Sequence, residues 1–145
     1  MNNLTKAKIE TLAHFLGITE KEINVADWDS CVFLADDAEY LVLCDIQAQE
    51  RVKEEIKESL CAFSADFICK MCDIPVDGNV AKSLAKMQEK CCEDCNPFIY
   101  ALIDHSCGFY YFVGQAIIAD GRGHFLAGYD VEEHEVNGLY IYRTN

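Results

Sequence analysis

The sequence predicts an α+β fold, a mostly helical body carrying a small antiparallel sheet of about three strands, and three observations lead there. Apolar residues recur at helical spacing over several stretches. Two short β-favouring runs stand either side of an acidic turn, in the pattern of a hairpin. No regular alternation of strand and helix of the βαβ kind is present. The chain has 145 residues, 51% of them hydrophobic, and such a length can bury a core without metals or disulfides. One domain over residues 1–145 is therefore expected.

Leu4, Ile9, Leu12, Ala13 and Leu16 make the first helical stripe, and Gly17 ends it, giving a helix over 4–16. Thr19 followed by Glu22 reads as a capping box for a short helical turn. Residues 31–35 and 39–44 form the hairpin across Asp36 and Asp37. Asp45 is placed to cap the next helix, whose Val52, Ile56 and Leu60 recur every four residues against a charged outer side. A short helix follows Ser64. Pro75 and Asp77-Gly78 break the chain before Val80, Leu84, Met87 and Cys91 define another helix. Asn96 stops that helix and caps the next, with Pro97 suited to its first helical position. Residues 98–119 read as two apolar helices joined near Gly108, ending in the tight turn Asp120-Gly121-Arg122-Gly123. Asn137-Gly138 then turns the chain into a last strand at 139–143.

The longest apolar stretch, Pro97 to Ala119, holds Asp104, His105 and Ser106 at its middle, so it reads as buried helices and not as a membrane span. The segment MNNLTKAKIE lacks the features of a secretory signal, and a cytoplasmic location with reduced thiols is expected for the nine cysteines.

The net charge is −13, from 25 acidic and 12 basic side chains, and it is unevenly placed. Glu22 to Glu50 contains eight acids and no Lys or Arg; Glu93 to Glu135 contains eight more, with Arg122 as the one basic residue; the stretch between balances seven against seven. Phosphate binding draws its affinity from Lys and Arg, so direct nucleic-acid binding is not expected. A negative field attracts basic protein surfaces instead. If the hairpin and the last strand share one sheet, the two acidic blocks flank it and merge into one face. Asp36, Asp37, Glu39, Asp130, Glu132, Glu133 and Glu135 are the candidate partner-binding residues on that face.

Cys69-Lys70-Met71-Cys72 and Cys92-Glu93-Asp94-Cys95 have the spacing of a four-cysteine zinc site, with Cys69, Cys72, Cys92 and Cys95 as ligands. Core packing accounts for the same spacing, because residues three apart share one side of a helix and a free thiol behaves as a small hydrophobe. Zinc is thus one reading and buried thiols the favoured one. A thioredoxin-type CxxC would need a preceding strand in a βαβ unit, which the pattern lacks.

The run from Asp120 to Asp130 offers carboxylates, His124 and Arg122 beside glycine turns, a composition that suits a small-ligand binder or a hydrolase. No catalytic or phosphate-binding motif accompanies it. The favoured reading is a satisfied polar network of Asp120, Arg122, His124 and Tyr129 that holds an irregular loop in place. No catalytic residue is assigned.

The run DGRGHFLAGYD with the acids after it and the terminal IYRTN, together with EYLVLCD and CAFSADFI, resembles a group of small proteins encoded by bacteriophages and other mobile elements. The likeness covers 116–145 and more loosely 39–68, and Val131 stands where that pattern has glycine. The resemblance implies no catalytic residues. It implies a small acidic phage protein that binds a host protein, such as an anti-CRISPR-like inhibitor of a host defence protein that handles nucleic acid. The resulting expectation is a non-enzymatic interaction protein; a zinc-stabilised module and a small-ligand binder or hydrolase using 120–135 are the alternatives.

Overall fold

Seven α-helices and five β-strands follow one another in a computed structural model that describes all residues from Met1 to Asn145. The helices are α1 (Asn3–Leu16), α2 (Asp45–Glu58), α3 (Ala65–Met71), α4 (Asn79–Cys91), α5 (Asn96–Ser106), α6 (Phe109–Asp120) and α7 (Arg122–Leu126). The strands are β1 (Ile23–Val25), β2 (Val32–Ala35), β3 (Ala38–Leu43), β4 (His134–Val136) and β5 (Leu139–Arg143). No helix is long and apolar enough to cross a membrane. The chain divides into two units, Met1–Val52 with Asp120–Asn145, and Lys53–Ala119.

The first unit holds an antiparallel sheet of five strands in the order β1-β2-β3-β5-β4, where the sequence leads to about three. The added strands, β1 and β4, are the edges. Each is three residues long, too short for an alternating pattern to show, and each forms because a longer neighbour offers it a ladder. The hairpin turn places Asp36 at φ 51, and Asn137 and Gly138 take φ 53 and φ 76, the left-handed pair that a two-residue hairpin turn requires.

One sheet face buries Phe33, Ala35, Tyr40, Val42, Leu139 and Ile141 beneath Ile9, Leu12 and Ala13 of α1. That helix begins where the Asn2 side chain accepts the Thr5 amide at 2.7 Å and ends at Gly17 with φ 70. The opposite face carries the alternate residues Leu41, Leu43, Tyr140 and Tyr142, and α7 packs against β5. Gly123 in α7 lets the backbone before β4 pass close: a Cβ there would lie 2.3 Å from the Val131 carbonyl oxygen. Val131 itself has φ 57, so a β-branched residue occupies left-handed backbone at the position where glycine is the expected residue.

The second unit is helical. Ser64 caps α3 by accepting the Phe67 amide at 3.1 Å, and α5 and α6 join across Gly108 at φ 90. Asn96 is buried and does not cap its own helix. Its side chain accepts the Cys61 amide at 2.7 Å and donates to the Glu58 carbonyl, while Gln88 donates to the Phe63 carbonyl at 2.7 Å. These amides satisfy backbone groups of Glu58, Cys61 and Phe63 around the 3₁₀ turn Leu60–Ala62. Phe63, Phe67, Phe109 and Phe112 pack ring on ring inside.

Candidate functional site

The strand order decides which acidic residues meet. Tyr40 pairs with Arg143 and Ile23 with Ala35, so the β2–β3 turn, the end of β5 and the segment entering β1 reach the same end of the sheet. Glu39 is fastened there: its carbonyl accepts the Thr144 amide at 2.9 Å and its carboxylate accepts the Thr144 hydroxyl at 2.6 Å. Tyr129 donates its amide to the Arg143 carbonyl at 3.2 Å, which brings the following Asp130 to this end too. The Asp130 side chain accepts the Glu132 amide at 3.1 Å and fixes the turn that carries Glu132. Asp36, Asp37, Glu39, Asp130 and Glu132, drawn from both acidic blocks, therefore gather at one end. Glu20 and Glu22, exposed just before β1, join them. Sequence reading misses this pair as part of the group because β1 is not legible as a strand, although the capping box that holds Glu22 is.

Arg143 is a cation of this end, with Lys21 exposed between Glu20 and Glu22, and Arg143 does not pair with the carboxylates. Its guanidinium lies 3.7 Å from the centre of the Tyr129 ring and its Nε donates to the Asn145 carbonyl at 2.7 Å. A shallow hollow of about 350 Å³ beside it is lined by Leu16, Ile18, Asp36, Asp37, Tyr40 and Arg143. Asp36, Asp37 and Glu132 are exposed.

Two candidate partner-binding residues lie elsewhere, so the expected single face is corrected to an end of the sheet. Glu133 turns onto the other face, accepting Arg122 Nε at 2.7 Å and the Tyr142 hydroxyl. Glu135 pairs with Tyr140, further along β5 towards the opposite end.

Arg122 is the centre of the polar network expected of the 120–135 segment, but with other partners. Its side chain is 9% exposed; besides Glu133 it donates to Asp45 at 2.9 Å and Gln49 at 3.3 Å, and its guanidinium lies 4.4 Å from the Tyr140 ring centre. Burial works against the Arg122 charge, and the Glu133 and Asp45 bonds outweigh it, holding the guanidinium protonated. Burial and the bond to Glu133 push the Tyr142 hydroxyl well above its usual range. Asp45 thus anchors Arg122. Tyr129 belongs to Arg143, His124 is exposed with its ring edge-on to Phe125, and Asp120 is exposed at the end of α6. No side chain in the structure is left as a buried polar atom without a partner, which is the condition of a closed structural network.

The four zinc-candidate cysteines do not converge, and no group of three or more His, Cys, Asp or Glu side chains is placed to hold a metal. Cys69 and Cys72 are buried at the end of α3, with Cys72 beside Ser106 and Cys107; Cys95 is buried near Cys61, and Cys92 is exposed. Burial pushes the thiols of Cys69, Cys72 and Cys95 up, the setting of inert core cysteines. Cys69, Cys72 and Cys95 are therefore used for packing, while Cys92 faces solvent.

A feature the sequence did not announce is an open cleft of about 900 Å³ within the second unit, lined by Glu54, Lys57, Glu58, Glu93, Asp94 and Tyr100. Lys57 lies over the Tyr100 ring at 4.5 Å from its centre, leaving four carboxylates around the cleft. The like-charged pair Glu54 and Glu58 was the available signal. Compared with family models, curated proteins and solved structures, the chain matches none.

Proposed function

We propose that this protein acts by binding a basic protein surface, without catalysis, through the acidic end of the sheet in its first unit. The partner class we propose is a host protein that handles nucleic acid, whose phosphate-binding groove supplies the Lys and Arg that the carboxylates seek, as an anti-defence inhibitor of phage or mobile-element origin requires. The single observation supporting this is that Asp36, Asp37, Glu39, Asp130 and Glu132 come together from opposite halves of the sequence, while the nearby Arg143 pairs with a ring and a carbonyl and not with them. Folding alone favours pairing or spreading such charges, since unpaired like charges repel. Carboxylates left in a group are free to meet a partner's cations.

The experiment is capture of partners by the immobilised protein at low salt, repeated at high salt and identified by mass spectrometry. The reading expects a basic partner that is released steeply as salt rises, since exposed charges are screened within a Debye length of about 8 Å at physiological ionic strength. A partner retained equally at both salt concentrations would remove the electrostatic mechanism.

A further inference from the structure

The most unusual group in the first unit is a lysine inside it. Lys8 is 2% exposed on the inner side of α1, and its Nζ donates to the Gln47 side-chain oxygen at 2.9 Å and to the Cys31 sulfur at 3.2 Å. Lysine is almost never fully buried, and when it is, a carboxylate usually receives it. Here an amide oxygen and a thiol sulfur do so. Arg51 approaches the same sulfur from α2 while holding Asp29, and the Asp29 side chain accepts the Cys31 amide at 2.8 Å. Two helices, α1 and α2, and the turn entering β2 thus converge on one thiol, with the Lys8 and Arg51 side chains and the Asp29 carboxylate beside it. An amine nitrogen held against a sulfur is placed to condense with it once that sulfur is oxidised. Cys31 is 8% exposed, as buried as Cys72 at 9%, and differs from it in having an amine nitrogen against its sulfur.

We infer that Lys8 and Cys31 form a covalent modification site, in which an oxidant of the peroxide class joins the two side chains by a sulfur–nitrogen bond. In the first step the peroxide O–O bond breaks, one oxygen forms an S–O bond to Cys31, the thiol is oxidised to a sulfenic acid and the peroxide is reduced to water. In the second step Lys8 releases its ammonium proton to solvent, and the neutral amine nitrogen attacks that sulfur. The S–N bond forms, the S–O bond breaks, and the hydroxyl leaves with an amine proton as a second water. One thiol, one amine and one peroxide give one sulfenamide and two waters, with the electrons taken up by the peroxide. The product ties α1 to the turn entering β2, and a thiol reductant reverses it by attack at sulfur.

The test treats the folded protein with graded hydrogen peroxide, alkylates the remaining thiols, digests it and maps the peptides by tandem mass spectrometry, with and without dithiothreitol. The expected result is a linked peptide spanning Lys8 and Cys31, lighter by two hydrogens than its two parts, with protection of Lys8 from trypsin and loss of alkylated Cys31, all reversed by the reductant. Cys31→Ser should abolish the link, and the double variant Cys91→Ser with Cys92→Ser, at exposed positions, should leave it. Should Cys31→Ser fail to fold, the wild-type chain unfolded in urea serves instead, where the pair is apart and no link should form. Two results overturn the inference: Cys31 staying alkylatable or passing to sulfinic acid without Lys8 at doses that oxidise Cys91 and Cys92, or a link that forms equally in urea.

Discussion

Two arginines on opposite faces of the sheet's end are built from the same materials and serve opposite purposes. Arg122 and Arg143 each lie over a tyrosine ring, Tyr140 and Tyr129, and each stands among carboxylates drawn from both acidic blocks. Arg122 is enclosed and bonded to Asp45 and Glu133, so its carboxylates are neutralised and hold the fold together. Arg143 bonds a ring and a backbone carbonyl, and Asp36, Asp37, Asp130 and Glu132 form no ion pair with it. Composition does not distinguish the two places. What distinguishes them is whether the chain brings the guanidinium within reach of the carboxylates, and that is decided by register and by the close approach of α7.

The largest effect on this contrast should come from closing that approach. Gly123→Ala puts a Cβ into the Val131 carbonyl, and a loss of about 3 kcal/mol or more is expected in urea unfolding, because backbone and not a flexible side chain must move. Arg122→Met keeps the volume and removes the charge, leaving Glu133 partly buried with the Tyr142 hydroxyl as its remaining partner and no cation; a loss of about 2–4 kcal/mol is expected by the same measurement. Were Arg122→Met instead neutral, the network would be ornamental and the comparison would fail.

Tyr142→Phe should cost about 1–2 kcal/mol by removing one hydrogen bond to Glu133. Its pH dependence has a definite sign. The folded hydroxyl titrates above the unfolded one, so its contribution is complete below the unfolded value of about 10 and is lost as pH rises beyond it. Wild-type stability should therefore fall more steeply than that of Tyr142→Phe in alkaline melts. Val131→Gly should act the other way, raising stability by about 1 kcal/mol, because relief of left-handed strain exceeds the entropy glycine adds to the unfolded chain.

Much of the fold is legible in the sequence where a residue's own neighbours decide its state. The hairpin and β5 show as apolar runs beside strong turns, α1 and α4 as stripes, and the α5–α6 junction as a glycine. The edges do not show: Ile23-Asn24-Val25 and His134-Glu135-Val136 are short and partly polar, which is how sheets avoid pairing with other chains. Arg122 stands out as a network centre because it lies alone among acids, yet its partners Asp45 and Gln49 come from a distant stretch that only the tertiary fold brings near. Lys8 falls beside the apolar stripe of α1, and nothing local says that Gln47 and Cys31 will receive it. The spacing of the cysteine pairs misleads toward zinc for the converse reason, since i,i+3 repeats serve a metal knuckle and a helix core alike.

The measurement that most directly tests the division between the two arginines is made on Asp36→Asn, Asp37→Asn, Glu132→Gln, with thermal unfolding and salt-dependent partner capture run on one preparation. These exposed side chains make no ion pair, so stability should stay within about 0.5 kcal/mol of wild type. Capture of a basic partner at low salt should be lost. Unchanged capture by a variant that folds normally would contradict the assignment of this end of the sheet to binding.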